Sequence, residues 1–182
     1  MVTPVAIAFN NIVYSRKYHG AVVGDKDITL NHLAAFGAAT IEPRTGSGGH
    51  KIVFVFNNPV SSVTSLSVVD AMDVAIPGAV AAPSFNNNEL IVTVTGLPEN
   101  IRVTVKANGV NNALNVSTPV AFLIGDVSGN SRINATDIAA VKARVSQNVS
   151  MGNNFLFDLN LNGAISSADV STVKARSGIV LP

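Results

Sequence analysis

Four of the chain's 11 acidic residues stand in a pattern. Asp126 and Asp137 are 11 positions apart, Asp158 and Asp169 are 11 apart, and the pairs are offset by 32. The other seven are scattered through residues 1–124. Overlaid at that offset, residues 124–145 and 156–177 agree at Asp126/Asp158, Asn130/Asn162, Ile133/Ile165, Asp137/Asp169 and the run Val-Lys-Ala-Arg, which marks an internal duplication. Each copy reads as a twelve-residue loop with oxygen at positions 1, 3, 5, 7, 9 and 12, the set that a hard cation such as Ca²⁺ takes. The first loop offers Asp126, Ser128, Asn130, the Arg132 carbonyl, Asn134 and Asp137. The second offers Asp158, Asn160, Asn162, the Ala164 carbonyl, Ser166 and Asp169. Gly163 fills position 6 of the second loop, where the chain must turn sharply. The first loop has Ser131 there, at a cost of roughly 1 kcal/mol if the position is left-handed. Ser128 is a short, weak ligand. Each loop nearly neutralises one divalent cation, and the second site is expected to bind more tightly. Ile165, at position 8, is expected to meet the other loop in a short β-bridge. Asp beside Asn or Gly is also an ordinary turn, and Asp before a helix an ordinary cap. Two matched copies, with no other carboxylate in the segment, favour the metal.

Such loops need helices behind them. After Asp137, Ile138, Val141 and Val145 recur at helical spacing, and after Asp169, Val170 and Val173 do the same. That period turns these residues inward and Lys142, Arg144, Lys174 and Arg176 to solvent. Upstream the grammar is that of strands. Lys51–Phe56, Val63–Val69, Glu89–Thr95 and Ile101–Lys106 are rich in β-branched residues and separated by breakers such as Asn57-Asn-Pro59 and Gly96-Leu-Pro98. Val5–Val13, Asp27–Leu30 and Thr40–Arg44 are weaker candidates, and Asn31–Ala35 reads as a short helix or a loop. Roughly six to eight short strands predict an immunoglobulin-like β-sandwich. The chain then divides into a mostly β module, 1–123, and a small α module with two EF-hand-like loops, 124–182. The link between them is apolar from Val120 to Ile124. Phe122 or Leu123 is therefore expected to be buried at a fixed junction, and the tail Ile179-Val-Leu-Pro182 to clasp the α module.

Composition narrows the function. With 47% hydrophobic and 13% charged residues, the chain is no disordered polyelectrolyte. A formal net charge of +1 gives no support to nucleic-acid binding. The absence of Cys excludes disulfides, iron–sulfur sites, Cys-ligated zinc and thiol catalysis. No apolar run reaches the roughly 18 residues of a membrane span. The start, Met1-Val-Thr-Pro4, lacks a signal-peptide layout, so an exported chain would be a piece of something longer. His19 beside Arg16 and Lys17 reads as a polar patch at a strand end rather than an anion site. Glu42 and Arg44 read as a structural pair, and Gly46-Ser-Gly-Gly49 as a hairpin turn. Asp70 and Asp73 have no helper His. No acid–base–nucleophile set emerges, and the chain is expected not to be an enzyme.

The run Gly125-Asp-Val-Ser-Gly-Asn-Ser-Arg-Ile-Asn-Ala-Thr-Asp137 and its copy Asp158-Leu-Asn-Leu-Asn-Gly-Ala-Ile-Ser-Ser-Ala-Asp169 resemble a type I dockerin, over roughly residues 124–182. The resemblance implies two antiparallel loop–helix units with a short helix between them, each holding one Ca²⁺. It also implies docking onto a cohesin module, which attaches enzymes or adhesins to a scaffold or cell surface, as in cellulosome-like assemblies. Family recognition residues at loop positions 10 and 11 correspond to Ala135, Thr136, Ser167 and Ala168. Lys142, Arg144, Lys174 and Arg176 on the following helices are further candidates. Many members carry a hydroxyl pair in both copies; here each copy keeps one hydroxyl. With Ser15-Arg-Lys-Tyr-His-Gly20 and Ile41-Glu-Pro-Arg44, the whole chain also resembles C-terminal modules of large bacterial secreted or surface proteins, where such a sandwich accompanies the dockerin and stiffens it. The expectation is calcium-dependent docking to a cohesin-like partner, at the bacterial surface or outside the cell, without nucleic acid or a membrane span. The alternative is a calcium-stiffened module that self-associates in a surface assembly.

Overall fold

The computed structural model describes residues 6–46 and 48–182. Runs of Val, Ile and Phe take the extended backbone that their branched or bulky side chains favour. Among the described residues they form nine strands: β1 (Phe9–Tyr18), β2 (Asp25–Thr29), β3 (Thr40–Glu42), β4 (His50–Phe56), β5 (Ser65–Val69), β6 (Val80–Asn86), β7 (Glu89–Thr95), β8 (Ile101–Val110) and β9 (Leu114–Phe122). One sheet has the order β2-β1-β4-β7-β6, the other β3-β9-β8-β5. All strand pairs are antiparallel except β3 with β9. Ile52, Phe54, Leu90 and Val92 of the first sheet and Val68, Val103, Val105 and Val120 of the second share one core. Leu90, Val92 and Val94 are fully buried, as their alternation requires. Left-handed Asn87 turns β6 into β7, and left-handed Asn111 and Asn112 turn β8 into β9.

Several elements differ from the sequence reading. β6 carries no strand signal in the sequence because Ala81-Ala-Pro83 dilutes it; Pro83 is tolerated there because β6 is an edge strand. β9 reads as a link because Val120, Ala121 and Phe122 are all buried, which hides any alternation. β1 begins at Phe9 and runs on to Tyr18, later than Val5–Val13, part of which lies outside the described residues. Asn31–Ala35 is an irregular turn leading into a single 3₁₀ turn, Phe36–Ala38. Ser47, in the predicted Gly46–Gly49 turn, also lies outside the described residues, although the Gly49 amide donates to the Gly46 carbonyl.

The helical part follows β9 directly. After a single turn within the β-rich body, α1 (Gly20–Val23), come α2 (Ala135–Lys142), a 3₁₀ turn at Asn154–Phe157 and α3 (Ser167–Ala175). Val145 lies beyond the end of α2 and is 38% exposed, against the inward position expected of it; the helix stops before its period reaches that residue. Ile133, Val141, Leu159, Ile165 and Val173 form a second core with Ala121 and Leu123 from the end of β9. The two position-8 residues do not bridge each other. Instead the Ser146 amide donates to the Ile165 carbonyl (2.9 Å) and the Gly178 amide to the Ile133 carbonyl (2.8 Å), so each loop is held by the chain leaving the other repeat's helix.

The junction is dense with main-chain bonds. Gly125 N–H donates to the Pro43 carbonyl and Thr45 N–H to the Leu159 carbonyl, both at 2.9 Å. Phe122 and Leu123 are buried. β9 runs straight into the first loop, and the tail nevertheless clasps. Leu181 N–H donates to the Ser131 carbonyl, Ile133 N–H to the Ile179 carbonyl, and Leu181 is buried. Arg102 of β8 donates to the Ser131 hydroxyl and to the Pro182 carbonyl.

Candidate metal centre

Both loops close onto their carboxylates in the same way. At position 1, Asp126 accepts from the amides of Asn130 (3.1 Å) and Ser131 (2.7 Å); Asp158 accepts from those of Asn162 (3.1 Å) and Gly163 (2.9 Å). At position 12, Asp137 accepts from the amides of Ser128 (3.0 Å) and Asn134 (2.9 Å); Asp169 accepts from those of Asn160 (3.3 Å) and Ser166 (2.9 Å). Position 9 is also the helix cap. Asn134 and Ser166 each accept from the amide two residues on, and the position-12 Asp completes a capping box in α2 and α3. One pair of residues thus starts the helix and aims a carboxylate into the loop.

Positions 4 and 6 are left-handed in both loops: Gly129 and Ser131 in the first (φ 71° and 67°), Leu161 and Gly163 in the second (φ 63° and 83°). Each loop therefore has one glycine and one strained residue. Ser131 is left-handed, as its position demands, but Leu161 carries a matching cost, so backbone strain gives no reason to rank one loop above the other.

Asp126, Asp137, Asp158 and Asp169 are at most 1% exposed. Burial, with the Asp137 charge adding to it, pushes the Asp126 carboxyl up from its ordinary value against the amides that favour its charge. Ser128, Asn130, Arg132, Asn162 and Ala164 lie at the exposed rim, and Asn134, Asn160 and Ser166 are half-buried. Among the described residues no group of three or more His, Cys, Asp or Glu could hold a metal ion. A cation here would depend on two carboxylates plus neutral amide, hydroxyl and carbonyl oxygens, a set that suits a hard, oxygen-seeking ion.

Ala135, Thr136, Ser167 and Ala168 are exposed at the starts of α2 and α3, and Lys142 and Lys174 are exposed near their ends. The two arginines are turned back onto the molecule. Arg144 lies over the Phe157 ring, 4.1 Å from its centroid, and Arg176 pairs with Glu99 at 3.3 Å.

The sequence reading missed one contributor. His19 stands just past the end of β1 among polar partners, as expected, but it is fully buried, with Nδ1 2.7 Å from Asp158 Oδ2 and Nε2 3.0 Å from Arg44 Nη1. Arg44 in turn makes a two-pronged pair with Glu42, both bonds at 2.7 Å, and the Ser15 hydroxyl donates to Glu42. Glu42 and Arg44 thus pair with each other, as expected. The available signal was the pair of motifs Ser15–Gly20 and Ile41–Arg44, but nothing local in them points to Asp158.

Residues 124–176 match the family described as Dockerin type I domain, and in the structure this segment follows directly on the β-rich body. Dockerins are non-catalytic modules that bind calcium and dock onto cohesins. No curated protein matches the chain. No helix among the described residues is long and apolar enough to cross a membrane.

Proposed function

We propose that the chain is a calcium-dependent docking segment of a larger protein, secreted or held at a bacterial cell surface. Residues 124–182 dock onto a cohesin-like partner and hold two Ca²⁺. Asp126, Ser128, Asn130, Arg132, Asn134 and Asp137 serve one ion. Asp158, Asn160, Asn162, Ala164, Ser166 and Asp169 serve the other. Residues 1–123 form a companion module, which we read as an immunoglobulin-like sandwich from its two mainly antiparallel sheets over a common core. The observation that carries the reading is the fourfold match of amide-to-carboxylate bonds in the two loops. Bound calcium supplies the positive charge that two buried carboxylates in each loop otherwise lack. The partner face is the exposed set Ala135, Thr136, Ser167 and Ala168 with Lys142 and Lys174; Arg144 and Arg176 contribute only by leaving their internal contacts. The test is binding to a panel of cohesin modules in calcium and in chelator. Calcium-dependent capture of at least one, lost on combined Thr136→Asp and Ser167→Asp substitution, supports docking. A chain that ignores every cohesin and forms calcium-dependent oligomers by itself would support self-association instead.

A further inference from the structure

The two loops differ in one respect that their sequences conceal. Asp126 takes its hydrogen bonds within its own loop, from Ser128, Asn130 and Ser131. Asp158 takes one from the β-rich body, through His19 at the end of β1. An arginine nitrogen can only donate, so Arg44 Nη1 fixes His19 Nε2 as an acceptor. The ring proton then sits on Nδ1 and is donated to Asp158 Oδ2. The ring is neutral in this tautomer and adds a donor without adding a positive charge that would compete with a cation. Arg44 is itself neutralised and fixed by Glu42, so its guanidinium does not swing away. Among the described residues, Asp158 Oδ2 carries two donors, His19 and the Gly163 amide, while Oδ1 accepts only the Asn162 amide. The carboxylate is thereby oriented, with Oδ1 left the less occupied oxygen.

The backbone makes the same connection. A Cβ at Gly163 would stand 2.8 Å from the His19 carbonyl, so position 6 of this loop needs glycine to admit the body, and glycine also spares it the backbone strain that Ser131 bears in the first loop. Thr45, the residue after Arg44, binds the Leu159 carbonyl, one residue past Asp158.

We propose that the β-rich body is a structural part of the second calcium site: His19, held by the Arg44–Glu42 pair, is a positioning residue for Asp158, and the second loop reaches its full affinity only in the intact chain. This rests on the calcium reading of the loops given above. Groups that orient a metal's ligands are typically worth about 10- to 100-fold in affinity.

The experiment is a calorimetric calcium titration of the full chain in an Asp137→Ala background, which leaves the second site to report alone. His19→Phe keeps a ring but removes the donor, and is expected to weaken binding about 10- to 100-fold. His19→Asn places an amide donor near the Nδ1 position and should recover part of the loss. In the reciprocal Asp169→Ala background, His19→Phe should leave the first site unchanged. Hydrogen exchange on the unmutated chain gives a reading that needs no variant: calcium should protect the His19 and Thr45 amides. Unchanged affinity in folded His19→Phe would overturn the proposal. So would equal weakening of both sites, or failure of calcium to protect the body's amides should the variant not fold. If the unmutated chain binds no calcium at all, the calcium reading itself fails, which is a separate result.

Discussion

Ser131 shows how one residue can serve two masters. Its left-handed backbone costs about 1 kcal/mol, which glycine would recover, but its hydroxyl accepts from Arg102. Ser131→Gly alone should therefore change stability by less than about 1 kcal/mol, whereas in an Arg102→Ala background it should stabilise by about 1 kcal/mol. Denaturant unfolding of the four chains checks this; a destabilising Ser131→Gly in the Arg102→Ala background would contradict it. His50 and Lys17 make the fold sensitive to pH. Burial, with the Lys17 charge beside it, holds the His50 ring down at about 3, and Lys17 Nζ lies 3.0 Å from His50 Nδ1. Folding thus disfavours the protonated ring, and between pH 3 and the ordinary value of 6.5 the unfolded chain binds the extra proton. Stability should fall as pH drops through that window. Burial also holds the Lys17 ammonium down at about 8, so stability should rise as pH climbs from 8 towards 10.5. Unfolding midpoints at pH 4 and pH 7 test the acid limb: His50→Gln should narrow the difference between them, and an unchanged difference would assign the loss to other groups, Glu42 first.

At the scale of elements, the helical part owes its closure to its own ends. The tail runs beside residues 131–133 and buries Leu181. Deleting residues 179–182 should cost at least the roughly 1.5–3 kcal/mol of one large buried side chain and expose the Ile133 amide to exchange. A truncated chain with the same midpoint and the same exchange at Ile133 would mean that the strand-to-loop connection alone holds the first loop. The loops and the helices behind them could be read because a hard-cation loop places its oxygens locally, within twelve residues, and the second copy checks the first. β4, β7 and β8 could be read because their β-branched runs are dense. β9 could not, because a strand buried on both faces near its end loses the alternation that marks a strand. The end of α2 at Lys142 was illegible for another reason: helical spacing continues in the sequence to Val145, while the chain has already turned to bring Ser146 against Ile165.

The whole molecule makes a contact that no local pattern contains. His19 and Asp158 are 139 positions apart, and nothing in the sequence around either points to the other. Only folding puts the body's buried Ser15–Glu42–Arg44–His19 chain beneath the second loop. With Leu123, Gly125 and Thr45 also tied across the junction, the β-rich body and the helical part should not melt independently. We expect one cooperative transition that rises with calcium, by about 2.7 kcal/mol per site at a hundred times the dissociation constant. Two separated transitions, with only the smaller one moved by calcium, would show the parts to be energetically distinct. Whether the duplicated loops each hold one calcium ion is decided by calorimetric titration of the chelator-stripped chain. Two ions per chain are expected, falling to one in Asp137→Ala and to one in Asp169→Ala; no binding, or a stoichiometry that neither substitution changes, would rule the two-site arrangement out.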